Sequence, residues 1–254
     1  MLKHWVVTYV AIAVMAALVL LGVNFWLAFP AVLLAKLGLD AWGAINVGSN
    51  YYMNVLCKGA GGEKAVALSF DDGPVNGGTA EILDILKAQQ VPAAFFFIGN
   101  RVAEAPGLVR RAHEEGHLIG NHSYAHQTLF DLLPTSKMKQ ELQKANDAIE
   151  AAAGVKPLLF RPPYGVTNPM LARAVKAGGF TPVGWSIRSL DTVIKEEDQL
   201  FERVTRKISP GDIFLFHDTA AATAKILPAL IKQLKREGYV LKRLDELLKI
   251  PAYA

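Results

Sequence analysis

The sequence predicts an α/β fold, a mostly parallel sheet curved into a barrel, preceded by one N-terminal transmembrane helix. Three observations carry this reading. From residue 65 onward, short apolar runs alternate with helix-periodic runs, the pattern of strands joined by crossover helices. Residues fit for chemistry follow those apolar runs: Asp71-Asp72, His122, Arg161, Asp191 and His217. In a parallel layer all of them gather at the C-terminal edge, and contributions from all around the layer favour a barrel over an open sheet. The third observation is that residues 5–35 carry no charged side chain, a run longer than the roughly 20 apolar residues that span a bilayer.

The elements follow in chain order. Trp5 and Tyr9 lie towards one end of the uncharged run, and Phe25, Trp26 and Phe29 towards the other, as suits the two membrane interfaces. The run exceeds the apolar core of about 7–15 residues in a cleaved signal peptide, and no Ala-x-Ala follows, so a retained helix is expected. Lys3 favours an N-terminus inside, which makes the chain single-pass in the cytoplasmic membrane with an extracytoplasmic domain. Leu33, Leu34, Leu37 and Leu39 predict a short amphipathic segment lying on the membrane, and Gly59, Gly61 and Gly62 loosen the chain. The expected division is 1–35 as anchor, 36–64 as connector and 65–254 as one folded domain.

Within that domain, strands are expected at 66–70, 93–98, 118–120, 158–160, 183–185, 213–216 and 239–241. Helices are expected at 80–89, 106–115, 136–153, 168–177, 199–208, 224–237 and 244–248. Pro106 suits a first helical position, Asn168 an N-cap, and Gly116, Gly154 and Gly178-Gly179 suit helix ends. Met138, Leu142, Ala145 and Ile149 form one apolar stripe. Lys232, Lys235, Arg236, Lys242 and Arg243 crowd the C-terminal part of a chain of formal charge +4. A single aromatic residue, Tyr239, lies among them, so they read as a solvated face and not as a nucleic-acid platform. Cys57 is the only cysteine, which excludes an intrachain disulfide.

Two constellations stand out. Asp71-Asp72-Gly73-Pro74 ends an apolar run; adjacent carboxylates repel and need a cation or hydrogen bonds to be held together. His122 and His126 are four residues apart, so a helical turn after the strand puts both on one face, able to share a metal. Glu is absent from position 123, so this is not a His-Glu-x-x-His zinc motif. His113 and His117 have the same spacing but flank Gly116, and are expected to be ordinary surface or rim histidines. One carboxylate with two imidazoles fits catalytic zinc and also a facial-triad iron. The second Asp favours hydrolysis, since it supplies a base beside the attacking water.

Ser69-Phe70-Asp71-Asp72-Gly73-Pro74, His122-Ser123-x-x-His126, Arg161-Pro162-Pro163-Tyr164-Gly165 and Leu215-x-His217 occur in that order. Together they resemble the polysaccharide deacetylase family, the NodB-homology carbohydrate esterases of family 4, over about residues 65–245. The resemblance implies a distorted, incomplete (β/α) barrel and metal-dependent removal of N-acetyl or O-acetyl groups from sugars. By position it implies Asp72, His122 and His126 as ligands of a divalent metal, zinc first, with cobalt, manganese or nickel as alternatives. Asp71 becomes the base, oriented by Arg161; the Tyr164 N–H a stabiliser of the oxyanion; His217 the acid, oriented by Asp191. Leu215, with Tyr164 and Pro163, becomes the binding surface for the acetyl group. The chain departs from the family where relatives read Asp-x-x-Asp-Trp: here Arg188 replaces the first Asp and Thr192 the Trp, leaving one apolar wall to Trp185 or another residue. The expected substrate is an N-acetylated glycan, peptidoglycan or a surface polysaccharide, reached by a domain anchored through its N-terminal helix, with no nucleic-acid partner. The rival readings are a hydrolase of a small non-sugar amide and a non-catalytic glycan-binding module.

Overall fold

The computed structural model describes residues 2–254. Its N-terminal uncharged run is not one helix. It divides into α1 (His4–Leu20) and α2 (Phe25–Ile45), which fold back on each other. Gly22 takes a left-handed φ of +75° at the break, and Asn24 caps α2 by accepting a hydrogen bond from the Trp26 N–H at 2.9 Å. Both are ordinary helix-end signals, outweighed in the sequence by unbroken hydropathy. Among the described residues, α2 is the one helix long and apolar enough to cross a membrane. It runs through to Ile45, so no separate amphipathic segment forms at 33–39.

Residues 47–59 are packed, whereas Gly61 and Gly62 are exposed with nothing beside them, as loosening glycines would be. Tyr51 is fully buried, its ring so close to Gly43 that a Cβ there would lie 2.3 Å from it. Leu56 forms a parallel bridge with Val183, and Lys58 an antiparallel bridge with Asp212.

The domain then alternates as expected: β1 (Ala65–Asp71), α3 (Gly78–Gln89), β2 (Ala94–Phe97), α4 (Gly99–Glu104), α5 (Pro106–Glu114), β3 (Leu118–Asn121) and α6 (Thr135–Ala153). There follow β4 (Leu159–Phe160), α7 (Pro169–Ala177), β5 (Thr181–Pro182), β6 (Ile187–Arg188), α8 (Glu197–Thr205), β7 (Ile213–His217), α9 (Ala221–Arg236), β8 (Val240–Leu241) and α10 (Leu244–Leu248). Two differences from the sequence reading matter. The short α4 was not anticipated. The single strand expected at 183–185 is replaced by β5 and β6 on either side of it: the Val183 N–H still donates to the Phe160 carbonyl, but the chain there bridges to Leu56, which accepts the Gly184 N–H.

The strand order is β5-β4-β3-β2-β1-β7-β6, with every pair parallel and β8 joined to the start of β1. The sheet curls into a half-barrel whose ends, β5 and β6, do not pair. Strand pleat sorts the side chains. Val66, Leu68 and Phe70 face the helices, where Phe70 stacks with Phe95 and Phe216 at centroid distances of 5.1 and 5.9 Å. Ala65 and Ala67 face the barrel interior with Phe96, Leu159 and Ile213. The interior is narrow: a Cβ on Gly120 would meet the Phe96 ring at 2.5 Å.

Candidate metal centre and catalytic cleft

The pleat of β1 separates the two carboxylates. Asp71, two residues beyond Ser69 on the interior face, ends the strand opposite His217 of β7. It is 3 % exposed and accepts a hydrogen bond from Arg161 Nη1 at 2.7 Å. Arg161 is wholly buried, its guanidinium lying 4.1 Å from the Phe96 ring centroid. It also donates to Ser69 Oγ and to the Gly184 carbonyl, each at 2.9 Å. Such saturation is what a buried ion pair requires, since unpaired polar atoms there would cost more than the pairing returns.

Asp72 turns away. Its φ of +73° is left-handed, and Arg101 hydrogen-bonds its carbonyl. Its carboxylate then points into the space between two imidazoles, with Oδ1 lying 3.5 Å from His122 Nε2 and 3.6 Å from His126 Nε2. His122 Nδ1 is 2.8 Å from the Arg161 carbonyl oxygen, so it donates there and leaves Nε2 with its lone pair facing Asp72. The expected helical turn between the histidines does not form. Ser123 and His126 are left-handed at φ +65° and +44°. The loop is tied by the Ser123 N–H to Asn121 Oδ1 at 2.9 Å and the His126 N–H to Ser123 Oγ at 3.2 Å. The same spacing thus converges by a different route.

Asp72, His122 and His126 are the one group of three or more such ligands among the described residues, their ligand atoms all within 4.8 Å of one another. Two features show that they fit a divalent cation. Asp72 Oδ1 is buried without a hydrogen-bond partner, a costly arrangement for an anion unless a cation completes it. Burial, reinforced by the His122 charge, pushes His126 down to about 4, so it is neutral at pH 7, as a metal ligand must be. Burial pulls Asp72 upward, but the pull of His122, then of His126 and His217, holds it well below the usual carboxylate range.

Facing this cluster, His217 Nδ1 lies 2.7 Å from Asp191 Oδ1, while the His217 N–H donates to Asp191 Oδ2 at 2.7 Å. Asp191 is fully buried and accepts a further bond from Thr223 Oγ1 at 2.5 Å. The imidazole is held by Nδ1, which leaves Nε2 as its free nitrogen. Asp71, Asp72, His122, His126 and His217 line one cleft of about 200 Å³, with Leu215, Trp185, Leu190, Thr192 and Arg188 on its walls. Trp185 and Thr192 both line it, and the Arg188 guanidinium lies 5.9 Å from the Trp185 ring. Tyr164, left-handed at φ +58°, sits at the mouth with its ring 4.7 Å from that of His126. Pro163 does not reach the cleft: it is buried, and Pro162 forms the wall. A larger hollow of about 690 Å³ between α6 and α7 contains no carboxylate, histidine or cysteine.

His113 and His117 stay out of the cluster. His117 is no surface residue. It is 2 % exposed, accepts the Ala93 N–H at 3.1 Å and is pushed down to about 4 by burial. Gly116, left-handed at φ +87°, ends the helix and turns His117 into the start of β3, which explains the difference.

A family model described as polysaccharide deacetylase matches residues 58–183. The peptidoglycan-N-acetylmuramic acid deacetylase PdaA of Bacillus subtilis is 34% identical over 190 residues, 73% of this chain and 72% of that protein. The chain belongs to the polysaccharide deacetylase family. Deacetylase structures share the fold: the Bc1960 peptidoglycan N-acetylglucosamine deacetylase superposes with a TM-score of 0.75 at 29% identity, covering 79% of this chain and 95% of that one. BA3943 from Bacillus anthracis, described as a pseudoenzyme of the same esterase family, superposes with a TM-score of 0.71 at 32% identity, covering 76% and 68%. A deacetylase fold alone therefore does not certify catalysis, which places the weight on the residues at the cleft.

Some of those residues escaped the sequence reading as site components. Ser69 and Thr223 complete the hydrogen bonding of Arg161 and Asp191. Asp218, next to His217, is 2 % exposed, accepts Thr79 Oγ1 at 2.5 Å and is pushed up to about 7, chiefly by burial. A Cβ on Gly73 would strike its Oδ2, so Asp218 packs directly under the Asp72-Gly73 turn. Its place after the His217 motif was the only signal available.

Proposed function

We propose that this chain is a metal-dependent deacetylase that removes N-acetyl groups from an envelope glycan, peptidoglycan or a surface polysaccharide, while attached to the cytoplasmic membrane with its catalytic domain outside. One observation carries the reading: a buried carboxylate–arginine pair, a three-ligand cluster and a carboxylate-held histidine meet around one small cleft. Asp72, His122 and His126 would hold the metal, zinc being the best match to one oxygen and two nitrogen donors. When bound, a divalent metal supplies Lewis-acid polarisation of the acyl carbonyl and makes water more acidic. Asp71, fixed in rotamer by its hydrogen bond from Arg161, accepts the proton of the attacking water. The Tyr164 N–H, on the stiff Pro162-Pro163 loop, donates to the developing oxyanion. Leu215 and Trp185 receive the acetyl methyl, and His217 gives its proton to the departing amine.

The experiment is acetate release from a panel of acetylated glycans, with and without chelator. Release should stop on chelation and return with zinc. Asp71→Asn should keep metal and fold yet lose about 10²–10⁴ in turnover. A metal-loaded protein that releases acetate from no glycan would overturn the reading, and its behaviour on small amides would then separate the two rivals.

A further inference from the structure

The two N-terminal helices present an apolar surface that nothing in the domain covers. Leu20, Leu21, Trp26 and Leu27, at the turn between them, are 87, 79, 80 and 71 % exposed. The base of the hairpin is attached to the domain at both of its ends. At the α1 end, Lys3 Nζ donates to the Asn50 carbonyl and to Asn54 Oδ1, each at 2.7 Å, and the His4 N–H donates to the Tyr51 carbonyl at 3.2 Å. At the α2 end, Tyr51 Oη donates to Asp40 at 2.7 Å, and the Thr167 N–H donates to the Ala44 carbonyl at 3.0 Å. Lys3 and the catalytic domain therefore lie at the same end of the hairpin, and residues 21–24 form the far tip.

From this geometry we infer that α1 and α2 form a membrane-embedded hairpin that enters the bilayer from the side of the catalytic domain and does not cross it. The inference rests on the membrane attachment proposed above and replaces the single pass with a re-entrant one. Charge sets the depth. Lys36, ion-paired to Asp40, marks the base, and no charged residue lies between it and the tip. Lys36 lies eleven positions after Phe25, which is about 17 Å of helix. The 17 residues of α1 span about 25 Å. Both fall short of a hydrocarbon core of about 30 Å.

The tip is also built for an environment without water. A spanning hairpin would present its turn to the opposite headgroups, yet residues 21–24 include no charge and only one polar side chain, Asn24. Most backbone donors at this turn are satisfied internally, the Asn24 and Phe25 N–H groups excepted. Leu21, Gly22 and Val23 N–H groups donate to the Ala17, Val19 and Leu18 carbonyls. The Trp26 N–H uses the Asn24 side chain, and Leu27 and Ala28 use the Asn24 carbonyl. Satisfied turns are what hydrocarbon demands of non-helical backbone. Trp5 and Trp42, 56 and 46 % exposed near the base, are placed for the interface on the domain side.

The test is cysteine labelling of the full chain in spheroplasts with a membrane-impermeant maleimide, in a Cys57→Ala background. Lys3→Cys and Lys232→Cys, the latter on the exposed side of α9, should label from the same side; Val23→Cys should label only after detergent. Labelling of residue 3 and residue 232 from opposite sides, or of residue 23 from the side away from the domain, overturns the hairpin. Residues 3 and 232 both labelling only after permeabilisation, with residue 23 still protected, would keep the hairpin and instead remove the extracytoplasmic glycan reading. A second measurement avoids the cysteine variants. In phosphatidylcholine vesicles, bromines near the bilayer midplane should quench the fluorescence lost in Trp26→Phe, while bromines near the headgroups quench that lost in Trp5→Phe and Trp42→Phe. Equal quenching of all three by shallow bromines alone would place the hairpin flat on the surface and overturn its insertion.

Discussion

At His217, burial and charge pull in opposite directions. Burial favours the neutral ring, but the hydrogen bond to Asp191 and the charges of Asp71, Asp191 and Asp72 outweigh it, so the pKa lies above the ordinary histidine value. An acid with a raised pKa stays protonated to higher pH and is lost as pH rises through that value. Deacetylation should therefore fall on the alkaline side of its pH profile. Asp191→Asn removes the partner that raises the pKa, so the alkaline limb of kcat should move to lower pH. His217→Ala should lose about 10²–10⁴ on an N-acetyl glycan and far less on an activated acetate ester, whose leaving group departs without a proton. Equal losses on both substrates, with the fold intact, would take the acid role away from His217. Asp71 and Asp72 make the companion point: neighbours in sequence, they differ because one ends a strand and the other starts a left-handed turn.

Among the elements, the loop at Pro163–Gly165 shows how backbone shape builds the cleft. Gly165 is left-handed at φ +71°, and a Cβ on it would lie 2.5 Å from the Trp185 ring. Gly179 is equally left-handed at φ +70° but faces open space. Alanine at either position should cost about 1–2 kcal/mol for a left-handed L-residue. Only Gly165→Ala should also displace Trp185 and lower kcat/KM, by tenfold or more on the same glycan. Thermal unfolding beside steady-state kinetics separates the two effects; Gly165→Ala with native kcat/KM would show that the Trp185 wall does not shape the acetyl site. Strands β1 and β7 are legible in the sequence because each is an apolar run sustained over several residues. Strand β4 falls within the apolar run expected at 158–160, but β5 and β6 are two residues each, too short for a sequence pattern to locate them.

On the scale of the whole molecule, the half-barrel is closed by the chain that precedes it. The segment before β1 reaches across the open side: the Gly184 N–H donates to the Leu56 carbonyl, the Gly59 N–H to the Gly211 carbonyl, and Lys58 pairs with Asp212 at 2.9 Å. A domain beginning at residue 65 would lose all of these and uncover the β5–β6 gap. We predict that a chain starting at residue 40 folds without detergent, whereas one starting at residue 65 unfolds roughly 5 °C or more lower. Equal thermal midpoints would mean that residues 40–64 contribute nothing to the fold.

The sequence by itself determined most of the order of strands and helices, though not α4, β5 or β6, together with the edge at which the chemistry gathers and the family to which the chain belongs. Each of these is written in local periodicity or in short motifs, and short-range pattern survives any packing. Tertiary structure decided the rest. Asp71 meets Arg161 across 90 residues, and whether that arginine is buried between Phe96 and the half-barrel wall depends on a sheet that neither segment encodes alone. The separation of His122 and His126 fitted a helix, but Asn121 and Ser123 offered side-chain acceptors to the loop N–H groups and held a turn instead. The uncharged run from residue 5 to 35 read as one helix because hydropathy is blind to direction. Gly22 and Asn24 reversed the chain inside it, and only the contacts of Lys3 and His4 with residues 50–54 show on which side it returns.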